Sequence, residues 1–138
     1  MNRFVTFLAA ISLPVLFTQA ALAHHSFAMF DLTKTVTIEG TVKEFAWTNP
    51  HVILWVVAAP KDGQPEQVWS LESTSPGNLK RIGWTKRTFN PGDRVRVDFS
   101  PLRSGETGGA FKHALLIDTG KEVEALAAAT ASGKPDIE

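Results

Sequence analysis

Five stretches of this chain read as strands, and a single short helical signal falls between the third and the fourth. Where apolar and polar residues alternate with period two, one face of the backbone is buried and the other stays wet, which is how a strand behaves. The first stretch sets Val36, Ile38 and Val42 against Thr35, Thr37, Glu39 and Thr41, then continues toward Phe45 and Trp47 until Thr48-Asn49-Pro50 stops it. Gly40 inside it marks a bulge or a sharp bend. The second, residues 51–59, is apolar on both faces and is therefore expected at a central position. Pro60-Lys61-Asp62-Gly63 makes a turn into a third strand running from about Gln67 to Glu72. In the helical stretch, Ser75 can cap, Pro76 suits the first position, Leu79 and Ile82 share a face, and Gly83 supplies the stop. Asn90-Pro91-Gly92-Asp93 then launches the cleanest alternation in the chain, Val95, Val97 and Phe99 against Arg94, Arg96 and Asp98. A Gly- and Ser-rich loop, residues 100–109, leads to the last strand, residues 112–118. Three strands, a helix and two strands predict an all-β domain with one short helix, a small five-stranded barrel of OB-fold type. Small barrels without the helix are the alternative.

The ends of the chain set its boundaries. Residues 1–23 carry a weakly basic start (Asn2, Arg3), an apolar run from Phe4 to Phe17, and Ala21-Leu22-Ala23, the pattern of a cleavable signal peptide. Cleavage after Ala23 predicts an exported protein, periplasmic or secreted, that begins at His24. No later stretch is long and apolar enough to span a membrane. Residues 24–34 form a leader, residues 35–120 the barrel, and residues 121–138, poor in core-forming pattern, a flexible tail. Without the signal, 13 Lys/Arg face 14 Asp/Glu. A net charge of −1 on the mature chain gives no overall footprint for nucleic acid. The sequence holds no cysteine, which excludes disulfides, thiolate metal sites and a Cys nucleophile.

Three groups of residues carry a resemblance. His24-His25-Ser26-Phe27, then Trp47-Thr48-Asn49-Pro50-His51, then Ser75-Pro76 with Leu79 and Arg81-x-Gly83-Trp84 are similar to a family of small exported proteobacterial proteins of unknown function. The likeness covers nearly all the mature chain to about Gly120. It implies a small β-barrel and brings no activity. The last strand departs from the pattern, with Lys112-His113 where an Arg-containing stretch is more usual.

Chemistry is available mainly at the four histidines. Cleavage after Ala23 would give His24 a free α-amine beside its own imidazole, a bidentate nitrogen chelate of the kind that suits Cu(II). His25 follows it, His51 sits in or beside the loop between strands one and two, and His113 opens the last strand. In an OB-type barrel the loops near His51 and His113 flank one binding face, so the two are expected to meet under the leader. The plainer readings are a turn residue at His51 and an exposed strand-edge residue at His113. Glu72 could line a pocket or pair with Arg81 or the helix N-terminus. Trp47, Trp55 and Trp84, with Trp69, could offer a stacking face or supply core and rim. The leading expectation is a periplasmic module that carries or buffers copper. A metal-free module binding a protein, peptide or saccharide on its aromatic face is the alternative. An oxygen-activating copper oxidase or monooxygenase ranks last, because nothing else marks a substrate site, so the chain is read as a non-enzyme.

Overall fold

The computed structural model describes residues 27 to 125. The expected signal peptide, His24, His25 and the tail beyond Ala125 lie outside the described residues. A 3-10 turn, Phe27–Met29, precedes strand β1 (Val36–Ala46), β2 (Ile53–Ala58) and β3 (Gln67–Glu72). Helix α1 (Pro76–Lys80) follows, then β4 (Arg94–Pro101), β5 (Gly108–Leu116) and β6 (Lys121–Glu124).

β1 belongs to two ladders. Residues Thr41 to Ala46 pair antiparallel with β2, and Val36 to Thr41 pair antiparallel with β4. To change partners the strand must bend, and Gly40 sits at the changeover. A β-carbon there would overlap the Val57 carbonyl oxygen, so only glycine allows the approach. The slip in ladder register falls slightly later, between Val42 and Glu44. β2 pairs with β3 and β4 with β5, again antiparallel, while β3 meets β5 in parallel at three positions, Ser70–Gly108, Leu71–Gly109 and Glu72–Ala110. Strands β1-β2-β3-β5-β4 thus close into a five-stranded barrel of small OB-like type, with the helix between β3 and β4.

The alternation read from the sequence is the burial seen in the fold. Val95, Val97 and Phe99 are fully buried, whereas Arg94 and Arg96 point outward to Asp118 and Glu39. β2 is internal to the sheet as expected, but it buries only Leu54, Val56 and Ala58 fully and leaves Ile53, Trp55 and Val57 half-buried. Ser75 caps α1, its Oγ accepting from the Asn78 N–H at 3.4 Å, and Pro76 is the first helical residue. Leu79 inserts fully into the core. Below it Trp84, Phe89, Phe45 and Phe111 pack edge-on or tilted, with ring centroids 5.2–6.2 Å apart, and close that end of the barrel.

Three expectations are corrected. β5 begins at Gly108, inside the stretch read as a loop. Its glycines are strand residues because a β-carbon at Gly109 would overlap the Ser100 carbonyl, so the side-chain-free backbone lets β5 pass close between its neighbours. The chain does not leave the barrel at Gly120: β6 adds to the edge of β5 and buries Val123 opposite Ala114, so residues 121–124 are sheet and not tail. Trp84 is not part of an open aromatic face. It is 5% exposed and its indole N–H donates to the Glu124 carbonyl at 3.0 Å.

Candidate metal centre

His51 lies in the loop that joins β1 to β2, next to a cis Asn49–Pro50 peptide. Two backbone bonds stitch this loop to the segment after β3. The Val52 N–H donates to the Thr74 carbonyl at 3.1 Å, and the Ser73 N–H donates to the Val52 carbonyl at 2.8 Å. His51 is therefore held against the end of β3. Its Nδ1 lies 3.0 Å from the Ser73 carbonyl and 2.9 Å from Glu72 Oε1. A carbonyl oxygen only accepts, so Nδ1 carries the hydrogen and Nε2 is left with its lone pair in the neutral ring. Nε2 has no hydrogen-bond partner among the described residues. Glu72 thus pairs with His51, and not with Arg81 or the helix N-terminus.

His113 has a similar but separate partner. It faces Asp98 across the β4–β5 ladder, with Nδ1 3.5 Å from Asp98 Oδ2, and Asp98 also accepts from the Thr37 hydroxyl. Lys112 is squeezed out of that ladder: Phe111 and His113 pair with the successive residues Phe99 and Asp98. The bulge turns Phe111 into the core and His113 outward. Each histidine is about one third exposed and each stands beside its own carboxylate. Among the described residues no three His, Asp or Glu side chains gather where they could hold a metal ion, so the expected meeting of His51 and His113 is not seen there. His24 and His25 lie outside the described residues.

The leader leads back to His51. Phe30 bridges to Leu102, the Asp31 N–H donates to the Pro101 carbonyl at 2.8 Å, and the Arg103 N–H donates to the Met29 carbonyl at 2.9 Å. Lys112 Nζ donates to the Lys34 carbonyl at 2.9 Å. The Thr33 hydroxyl, and after it Lys34, hold the Asp31 carboxyl down to about 2. Tied in this way, the leader brings Phe27 to the rim of a mostly apolar pocket of about 230 Å3. Phe27, Phe30 and Phe111 face Glu72, Ser73 and Thr74 across it. The carboxylate that holds His51 therefore shares a pocket with Phe27, three residues after His24.

The other tryptophans divide between packing and surface. Trp47 packs on Phe45 at 5.9 Å, and Trp69 packs on Phe99 at 5.5 Å and donates to the Ala58 carbonyl at 3.1 Å. Trp55 remains half-buried on the outer face of β2. Sequence reasoning missed the carboxylate partners of both histidines. Asp98 was in reach, since it lies on the outward face of the clearest strand; Glu72 was not, because its contact depends on how two loops meet.

No curated protein and no solved structure matches the chain. Residues 13–112 match the model of a family of unknown function, DUF6152, which spans the motifs around His51 and the helix. Covering well over half of the sequence, that match shows that the chain belongs to DUF6152, a family of unknown function.

Proposed function

We propose that the chain is an exported, periplasmic binding module that holds Cu(II) at its mature N-terminus, for carriage or buffering and not for catalysis. The observation that carries this reading is the His51 ring, whose Nδ1 is committed to Glu72 and Ser73 while Nε2 is free among the described residues. A carboxylate behind a histidine is the usual support of a metal-binding imidazole: it fixes the ring and makes the distal nitrogen a better donor. His24 is three residues from Phe27, and an extended chain of that length reaches about 10 Å. The α-amine and ring of His24 would supply two nitrogens and His51 Nε2 the third, a nitrogen-rich set that favours Cu(II).

The experiment begins with the mature start. Mass spectrometry of the exported protein should give His24 as its first residue. Calorimetric titration with Cu(II) should then show tight binding by that protein, which is lost when one Ala precedes His24 and weakened by His51→Ala. A short peptide beginning His-His-Ser-Phe is the control, because His25 can bind copper through its ring, the intervening amide and the amine. Equal affinity in peptide and protein would sink the proposal.

A second reading keeps one observation in its favour. The pocket of about 230 Å3 beside Glu72 is apolar enough to take a side chain of a peptide partner without any metal, and Trp55 adds an aromatic surface outside the barrel. Binding of such a partner would not depend on the free amine of His24.

A further inference from the structure

A net charge of zero for the whole chain conceals an uneven distribution. Between Glu72 and Asp93 the sequence has no acidic residue, while Lys80, Arg81, Lys86 and Arg87 fall inside that interval. The rest of the chain holds the other 10 Lys/Arg against all 14 Asp/Glu, a net −4. The four cations occupy the end of α1 and the loop that leads to β4, and all four are exposed. None forms an ion pair among the described residues. Elsewhere, Arg94, Arg96 and Lys34 are matched by Asp118, Glu39 and Asp31. Lys43, Lys61 and Lys121, unpaired among the described residues, each adjoin an acidic residue, Glu44, Asp62 and Glu122, as none of the four cations does.

This loop is firmly backed although its charges are free. Trp84 and Phe89, on either side of Lys86 and Arg87, are buried, and the Thr85 N–H donates to Thr88 Oγ1 at 2.8 Å. The cations therefore stand on a fixed platform, and none of them lines the cleft formed beside them by Ile82, Trp84, Thr88 and Val123. Exposed charges set along one short segment fit a partner whose anions rearrange to meet them, as headgroups do in a fluid lipid layer. An apolar neighbour is also present: Thr74, one residue before the Ser75 cap, shares a pocket with Phe27, which is 53% exposed.

We propose that the surface formed by Lys80, Arg81, Lys86 and Arg87 docks the protein on anionic phospholipid. It is an attachment to the membrane surface, separate from the copper reading and independent of it. Each basic residue close to an anionic bilayer is worth about fivefold in partitioning, and four together on the order of several hundredfold. Attraction of this kind is screened over about 10 Å at 0.1 M salt, so added salt should reverse it.

The test is co-sedimentation of the mature protein with unilamellar vesicles. The protein should bind vesicles of mixed phosphatidylcholine and phosphatidylglycerol, should not bind phosphatidylcholine alone, and should be released by salt. The K80Q/R81Q/K86Q/R87Q variant should lose binding by several hundredfold, whereas K43Q/K61Q, which removes two exposed lysines outside the segment, should retain most of it. A circular dichroism melt coincident with the parent's shows that the fourfold variant is folded, and unchanged Cu(II) titration separates this result from the metal site. Absence of binding to the mixed vesicles, or equal loss in both variants, overturns the proposal. Tighter binding to a soluble polyglutamate than to the vesicles would overturn it too, in favour of an acidic protein partner.

Discussion

Replacing Val97 by Asp tests the inward face of the barrel where its alternation is clearest. Val97 is fully buried and lies between Ile38 on β1 and Ala114 on β5. Losing that burial costs about 1.5–3 kcal/mol. A carboxylate in its place has no cation within the core, and burial of this kind raises a carboxyl by about 3–5 pH units, which at pH 7 costs no more than protonating it from its ordinary value, roughly 4 kcal/mol. The two costs together reach about 5–7 kcal/mol, within the range of the whole stability of a domain this size, about 5–15 kcal/mol. V97D should therefore be unfolded at pH 7 by circular dichroism. Because a raised carboxyl penalises folding only when it ionises, the variant should recover part of its structure toward pH 4. Arg96→Asp, one residue away, faces outward, where it exchanges a pair with Glu39 (side chains 55% and 48% exposed) for a screened repulsion. It should cost about 1 kcal/mol, a fall in melting temperature of about 4–8 °C. Equal melting of V97D and R96D would refute the assignment of faces.

If Glu72 supports His51 as a metal ligand, Glu72→Gln should weaken Cu(II) binding by about 10–100-fold with the melt little changed, while His113→Ala, whose ring pairs with Asp98 elsewhere, should leave the calorimetric affinity intact. A loss on His113→Ala equal to that on His51→Ala would place both rings on one ion. The Asp31 carboxyl, held down to about 2 from an ordinary 3.8, should hold the local turn with Thr33 and Lys34 at full strength above about pH 4 and loosen it as pH falls toward 2. Chemical shifts of the Thr33 amide would follow this, and a midpoint near 4 would contradict it.

What the sequence revealed, and what it hid, follows from the range of the interactions. β4 was legible because alternation is local: each residue declares its face by its neighbours, and Val95, Val97 and Phe99 do so without ambiguity. α1 was legible for the same reason, since Ser75, Pro76 and Leu79 act within a single turn. β6 offers only Val123 as an apolar residue among Lys121, Glu122 and Glu124, so nothing marks it as a strand until the edge of β5 is present to pair with it. Gly108 and Gly109 resemble loop residues because their purpose is set by strands distant in sequence. The site followed the same rule. The position of His51 beside a turn came from Asn49-Pro50, but its bond to Glu72 required two loops to be stitched together. Trp84 stayed open between face and core because hydrophobicity alone does not distinguish a ring that closes a core from a ring that awaits a ligand.

The two ladders of β1 have a consequence for how the chain reaches this structure. β1, β2 and β3 form one meander of sequence neighbours, and β4, β5 and β6 form another. Among the described residues two ladders join them as seams: β1 with β4, which brings Val36 to Phe99, and the three-position contact of β3 with β5. Each meander closes short loops, while each seam must close a long one, and long closures are slow. On loop length, the two seams are expected to form after the meanders, so closing the barrel is the slow part of assembly. Gly108, where a β-carbon would stand 2.9 Å from the Ser70 carbonyl oxygen, lies on the second seam, so a side chain there would hinder the contact of β3 with β5 that closes the barrel.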